Sequence, residues 1–234
     1  LTNDKGEWIT LGEDGFYHTT GALSAEQIEA KSLQSKKRVT MAAYPLNVAP
    51  RGLVILVNFA DLSFETEKAE MDSMLIGENY TRNYSYSHKG KTYNVSSQGS
   101  ARQYFQDASN GLYNPQFDVI GPVTVSNNMS YYGKNDSYGN DMYPDKMVSE
   151  ACIYADTAFN VDFTQYDNNN DGYVDFVFVI YAGYGEADGG AATTIWPHSW
   201  NLLSAGTRCE VDGKTVDLYA CGNELDYYSK MHTG

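Results

Sequence analysis

Two apolar runs constrain this chain more than anything else in it. Residues 52–59 read Gly-Leu-Val-Ile-Leu-Val-Asn-Phe, and residues 174–182 read Val-Asp-Phe-Val-Phe-Val-Ile-Tyr-Ala. A strand with one wet face alternates apolar and polar residues; a run without alternation is a strand covered on both faces. Neither 52–60 nor 176–182 approaches the roughly 18 apolar residues that a membrane span needs. Helical patterns lie between and around the runs, so the expected fold class is α/β, a layered sheet with flanking helices. A hairpin expected at 207–221, turning at Asp212-Gly213, makes that sheet mixed.

The helical readings rest on caps and periodicity. Ser100 opens a short helix that stops at Asn110-Gly111 and carries Tyr104 and Phe105 on one face. Residues 145–159 place Met147, Val148, Ala151, Cys152, Ala155 and Phe159 on one side of a helix. A helix is also expected over 65–76, a strand over 117–125, and a short apolar element over 195–200. Residues 77–99 and 126–143 read as long Tyr/Asn-rich loops. Residues 1–50 differ from the rest: a hairpin over 8–18, a polar helix over 24–38 opened by the capping box Ser24-Ala25-Glu26-Gln27, and a linker over 44–50. This part is read as an N-terminal appendage or the end of a pro-region, and 51–234 as the domain proper. The first residue is Leu1 rather than Met, as after removal of a leading segment.

Charge narrows the partners. With 16 Lys+Arg against 30 Asp+Glu the net charge is −14. Such a surface repels phosphate backbones and anionic lipid heads, which excludes nucleic acid and the membrane surface as partners. It suits cations, calcium above all. The 20 Tyr, the modest 20% of charged residues and the abundance of Gly, Asn and Ser are the mix of secreted or cell-surface proteins. Three cysteines, Cys152, Cys209 and Cys221, do not make a disulfide framework. A bridge between Cys209 and Cys221 is disfavoured, because the Asp212-Gly213 turn sets Cys209 opposite Val216.

The sharpest local motif is Asp167-Asn-Asn-Asn-Asp171-Gly-Tyr-Val-Asp175. Side-chain oxygens recur at loop positions 1, 3, 5 and 9, with Gly172 at the sharp turn, as a hard cation with six to eight oxygen ligands requires. The expected calcium ligands are Asp167, Asn169, Asp171, the Tyr173 carbonyl and Asp175. The place of the bidentate Glu of an EF-hand holds Phe178, so this is an EF-hand-like loop running into a strand. Gly183-Tyr-Gly-Glu186-Ala-Asp188 follows a strand but lacks the third glycine of a dinucleotide fingerprint, Asp188 standing there. The four histidines, His18, His88, His198 and His232, include no His-Glu-x-x-His. There is no Gly-x-Ser-x-Gly elbow and no Cys with an evident His partner. Five Asn-x-Ser/Thr sequons, at Asn79, Asn83, Asn94, Asn128 and Asn135, fit a loop-rich surface. Glu186, His198 and Trp200 are the candidate cleft residues, in a glycine-rich loop and in Ile195-Trp-Pro-His-Ser-Trp200.

Several stretches together resemble the immune inhibitor A-type zinc metallopeptidases. They are Gly99-Ser-Ala-Arg-Gln-Tyr-Phe-Gln-Asp-Ala-Ser-Asn-Gly-Leu112, Phe117-Asp-Val-Ile-Gly-Pro-Val123 with Tyr131-Tyr-Gly133, Asp171-Gly-Tyr-Val-Asp-Phe-Val-Phe-Val-Ile-Tyr-Ala-Gly183, and 195–200. The resemblance spans about 51–234. It implies a zincin-like mixed sheet and a secreted endopeptidase that acts on proteins or peptides through a zinc-activated water. It also implies a following helix with His-Glu-x-x-His, beyond Gly234. No catalytic residue and no zinc ligand therefore carries over to this chain, which alone is expected to be inactive. The remaining C-terminal part of the same protein is an expected partner, since a domain without its central helix leaves one sheet face uncovered, at roughly 25 cal/mol per Å² of apolar surface. The rival reading is a calcium-stabilised glycan- or peptide-binding module, or an inactive peptidase relative, with aromatic loops over 80–93 and 131–143.

Overall fold

The computed structural model describes residues 9–11, 17–19 and 49–226. The chain divides into two units, Leu1–Ala43 and Tyr44–Gly234. In the first, β1 (Ile9–Leu11) pairs antiparallel with β2 (Tyr17–Thr19), Ile9 opposite Thr19, which agrees with the hairpin read over 8–18. The helix expected over 24–38 lies outside the described residues.

The second unit is built on the two apolar runs. β3 (Arg51–Asn58) has six consecutive buried residues. The second run divides. Tyr173–Val174 forms the short β7, Asp175 and Phe176 step out, and β8 (Val177–Tyr184) continues at the centre of the sheet. β3 and β8 run parallel, with Leu53 opposite Val177 and Ile55 opposite Val179. β6 (Gln116–Thr124) is parallel to β3 on one side, and β12 (Leu218–Leu225) is parallel to β8 on the other. β9 (His198–Asn201) closes the sheet antiparallel to β12, so the order is β6-β3-β8-β12-β9. The mixed α/β sheet with flanking helices is the fold class read from the sequence, although its antiparallel member is β9 rather than the hairpin. That hairpin, β10 (Cys209–Val211) and β11 (Lys214–Val216), joins β7 in a separate small sheet. Cys209 stands opposite Val216 across Asp212 and Gly213, both at positive φ, and all three cysteines are free thiols. The hairpin was expected to run to 221; residues from Leu218 instead enter the central sheet.

The parallel pairs require crossovers. The β3–β6 crossover carries α1 (Lys68–Ile76) and α2 (Ala101–Ala108). The Ser100 hydroxyl accepts the Gln103 N–H at 3.2 Å, and the helix gives way to Asn110 and Gly111 at positive φ, as the sequence signals. The β6–β8 crossover carries α3 (Met129–Gly133) and α4 (Pro144–Phe159). Pro144 suits the first turn of α4, and Asn160 caps its far end in the left-handed region. Met147, Val148, Ala151, Cys152 and Ala155 face the core, but Phe159 is 46% exposed, so the apolar stripe ends one turn early.

The loop expected over 77–99 is a long hairpin, β4 (Thr81–His88) and β5 (Lys91–Gln98), paired at eight positions. Lys89 and Gly90, at φ 50° and 74°, make the left-handed turn that suits strand twist. Its alternation is of Tyr against Ser, Asn and Thr rather than apolar against polar. Tyr84, Tyr86 and Tyr93 lie on one face with ring centroids 6.5 and 5.2 Å apart. Likewise the loop expected over 126–143 contains α3.

Side chains of the sheet alternate between two cores. Leu53, Ile55, Val57, Val177, Val179, Tyr181, Tyr219 and Cys221 pack under α4. Val54, Leu56, Val119 and Ile180 face the other way, against Met71 and Leu75 of α1. That second face is only partly roofed: Phe178, Leu218, Ala220 and Gly222 remain half-buried.

Candidate functional site

Ligand sites of parallel sheets gather at the carboxyl ends of the strands, where side chains and loops splay apart. At that end of β8, the chain turns through Gly185 into a single helical turn, Glu186–Asp188. A side chain at Gly185 would meet the Asn223 Oδ1 at 2.6 Å and the Tyr181 hydroxyl at 3.0 Å, so glycine is what lets this loop lie against the sheet. The Glu186 N–H donates to the Ile195 carbonyl at 3.1 Å, and the Tyr181 hydroxyl donates to the same oxygen at 2.7 Å. Asn223 Nδ2 donates to Asp188 Oδ2 at 2.8 Å.

A third segment joins them. Asn135 Nδ2 donates to Glu186 Oε1 at 3.1 Å, and the Trp196 N–H donates to Asp141 Oδ2 at 2.8 Å. Asn135 and Asp141 are themselves bridge partners. Both keep a buried oxygen, Asn135 Oδ1 and Asp141 Oδ1, without a hydrogen-bond partner. Burial pushes the Asp141 carboxyl above the ordinary aspartate range, although the Trp196 N–H and His198 favour its charged form. Trp196 is 53% exposed, and Tyr131 stacks on Tyr143 at 5.0 Å, with Lys146 Nζ 3.8 Å from the Tyr143 ring centre; Trp200, 54% exposed, pairs with Tyr219 toward the amino end of β8.

His198 is locked at both nitrogens. Nδ1–H donates to the Trp196 carbonyl at 2.6 Å, leaving Nε2 to accept the Tyr219 hydroxyl at 2.9 Å. The β9–β12 register also sets Cys221 opposite it, with Sγ 3.5 Å from Nδ1. Sequence reading found no such Cys–His pair, because the two sit on different strands. It is no nucleophile: burial pushes the Cys221 thiol up to about 12, so thiolate is absent near neutrality. Glu186 lies beside Ile195 past the carboxyl end of β8, His198 lies opposite Cys221, and Trp200 pairs with Tyr219, level with Val177 toward the amino end.

Glu224 escaped sequence reading altogether. It is fully buried at the end of β12. Its Oε1 accepts the N–H groups of Glu65 and Thr66 at 2.8 and 2.6 Å, and its Oε2 accepts that of Gly183 at 3.1 Å. One carboxylate thereby ties the loop after β3 to the carboxyl end of β8.

The acidic loop lies at the opposite end of β8. Asp167 Oδ1 and Oδ2 accept the N–H groups of Asp171 and Gly172, each at 3.0 Å. Lys214 Nζ, delivered by β11, stands 2.6 Å from Asp167 Oδ2. Burial pushes the Asp167 carboxyl up, but Lys214 and the two N–H groups overcome that and hold it below the usual range. Asp171 Oδ1 accepts the Tyr173 N–H at 2.9 Å, and Asn169 Nδ2 donates to Asp171 Oδ2 at 3.0 Å. Asp175 Oδ2 accepts from the backbone and side chain of Asn168, at 2.9 and 2.6 Å, while its buried Oδ1 has no partner.

Among the described residues, no three His, Cys, Asp or Glu side chains converge closely enough to hold a metal ion. With His198 doubly engaged and Cys221 protonated, the described residues do not fit zinc. The loop offers oxygen donors and one orphaned carboxylate oxygen, but Lys214 already brings a positive charge to Asp167.

The mixed sheet with an antiparallel edge strand and flanking helices is consistent with a zincin-like peptidase domain. More particularly, the model of the immune inhibitor A peptidase M6 catalytic domain matches residues 47–229, and the chain belongs to this family. Immune inhibitor A of Bacillus thuringiensis subsp. alesti is 27% identical over 173 residues, covering 64% of this chain. The match spans 25% of that relative's length.

Proposed function

We propose that the protein is a secreted, zinc-dependent endopeptidase that receives its substrate as an extended strand along β9. Membership of the M6 family carries the peptidase reading. The substrate edge is supported by topology: β9 pairs with β12 on one side and with no other strand among the described residues. Such an edge offers unpaired backbone groups to a peptide, and exposed aromatics beside it supply contact area. Trp196 leads into that edge and Trp200 lies within it, and Asp141 and Glu186 stand beside the Ile195-Trp196 end. The described residues would bind and orient the peptide. Zinc would activate the attacking water, held by residues other than those described. Residues 51–234 belong to the catalytic domain in this reading, and 1–50 are an appendage or the end of a pro-region. The partners are proteins or peptides, and the remainder of the protein itself. Among the described residues no helix is long and apolar enough to cross a membrane.

The test uses the complete gene product. It should cleave a quenched fluorescent peptide, lose activity to 1,10-phenanthroline and regain it with added zinc. Absence of hydrolysis by protein shown to contain zinc would overturn the reading. Peptide or glycan binding in its place would favour a surface-binding module.

Calcium in the 167–175 loop belongs to the same proposal, through Asp167, Asn169, Asp171, the Tyr173 carbonyl and Asp175. Gly172 at φ 90° and the unpartnered Asp175 Oδ1 favour it. Lys214 competes for Asp167. Calcium should therefore raise the melting temperature of the wild type, and raise that of Lys214→Met further. Equal melting in calcium and in chelator, for both proteins, contradicts it.

A further inference from the structure

Two of the three thiols meet inside the core. Cys152 belongs to α4 and Cys209 to β10, the edge strand of the small sheet, and both side chains are buried in one cluster. The Cys209 thiol donates to the Ser149 carbonyl at 3.9 Å. That carbonyl lies one turn before Cys152. In a helix the carbonyl oxygen of residue i is the atom that a short side chain at i+3 or i+4 reaches back to. The two sulfurs therefore share one spot on α4, where the Cys152 thiol donates to the Cys209 sulfur. This hydrogen bond keeps the proton on Cys152 and holds the Cys209 thiol below its usual range, in favour of the thiolate.

Cys221 is no rival partner for either. It stands opposite His198 in the central sheet, whereas Cys209 stands opposite Val216 in the small one.

We propose that Cys152 and Cys209 close to a disulfide when the chain folds in the presence of a disulfide oxidant such as glutathione disulfide. The Cys209 thiolate attacks one sulfur of the oxidant, forming a mixed disulfide and releasing one thiolate. The Cys152 sulfur, giving up its proton, then attacks Cys209 Sγ and releases the second. Two protein thiols become one disulfide, and the oxidant is reduced to two thiols. Both sulfurs are buried in the folded chain, so exchange precedes the docking of β10 on α4 or follows local opening of that three-residue edge strand. The bond staples β10 to α4 and closes a covalent loop that contains the 167–175 segment, β8 and β9. That it forms in the organism rests on the secreted reading, because disulfides persist in oxidising compartments. That it can form rests on the geometry alone.

A peptide map of the complete protein, folded with glutathione disulfide and alkylated without reduction, tests it. Trypsin cuts after Lys146, Arg208, Lys214 and Lys230, so each cysteine falls on its own peptide, 147–208, 209–214 and 215–230. Peptides 147–208 and 209–214 should appear joined, with 215–230 alkylated. The joined species should vanish on reduction and in Cys209→Ser, and should persist in Cys221→Ser. The oxidised wild type should melt about 10 °C above its reduced form, a rise that Cys209→Ser lacks. Alkylation of both Cys152 and Cys209 in the folded protein, or linkage of either to Cys221, overturns the pairing. A joined pair without the rise in melting overturns its role as a staple. Peptide cleavage does not enter the readout, so failure here leaves the peptidase reading standing.

Discussion

The two ends of β8 use the same residue types to opposite effect. At the amino end, Asp167, Asp171 and Asp175 sit in a loop whose own N–H groups and Lys214 meet nearly every carboxylate oxygen. At the carboxyl end, Asp141 accepts from the Trp196 N–H and Glu186 from the Asn135 amide, and Asp141 keeps a buried oxygen unused. Each end thus keeps one buried carboxylate oxygen unused, Asp175 Oδ1 and Asp141 Oδ1; what differs is their company, for Lys214 stands on Asp167 at the amino end, whereas the exposed Trp196 stands beside Asp141 at the carboxyl end.

Substitutions at the two ends should separate these roles. The largest effect is expected from Asp167→Ala. It strands Lys214 beside two backbone donors and should lower unfolding stability by about 3 kcal/mol, read as a urea midpoint. The pH dependence has a definite sign. The folded-state pKa of Asp167 is depressed, so its contribution is present above the unfolded value of about 3.9 and is lost as pH falls through the folded value. The difference between wild type and variant should therefore shrink in acid.

Glu224→Gln comes next. An amide can offer only one carbonyl oxygen where three N–H groups now find two, so about 2 kcal/mol should be lost. Peptide cleavage should fall with it if the carboxyl end of β8 must be held in place. Asp141→Asn has the smallest effect on stability and the opposite sign. The folded pKa of Asp141 is raised, so its charge opposes folding above that pKa and the opposition fades as pH falls. The variant should gain less than about 1 kcal/mol at neutral pH, with no gain in acid, and should weaken peptide binding. Loss of stability at neutral pH would place Asp141 with the structural carboxylates.

How far the sequence reveals this arrangement depends on the range of the contacts. β3, β8 and α4 are legible because their burial is written in consecutive or 3.6-spaced apolar residues. β12 is not, since Leu218-Tyr-Ala-Cys-Gly-Asn-Glu-Leu225 mixes small and polar residues and is buried by neighbours far along the chain. The β4–β5 hairpin hides because its covered face is tyrosine and its exposed faces are serine and asparagine. In the site, Glu186, His198 and Trp200 stand out by their glycine-rich and tryptophan-rich surroundings. Asn135 and Asp141 acquire meaning only through partners 51 and 55 residues away, and Glu224 through N–H groups 158 and 159 residues away. Asn135 reads locally as a sequon, and the others as ordinary surface acids.

The central functional claim is that a peptide adds to the sheet along β9. Amide hydrogen exchange of the complete protein, with and without a saturating, non-cleavable peptide analogue, tests it most directly. Exchange over 196–203 should slow by at least tenfold while the β4–β5 hairpin over 81–98 is unchanged. Protection of the hairpin with no change over 196–203 would contradict the assignment of β9 as the substrate edge.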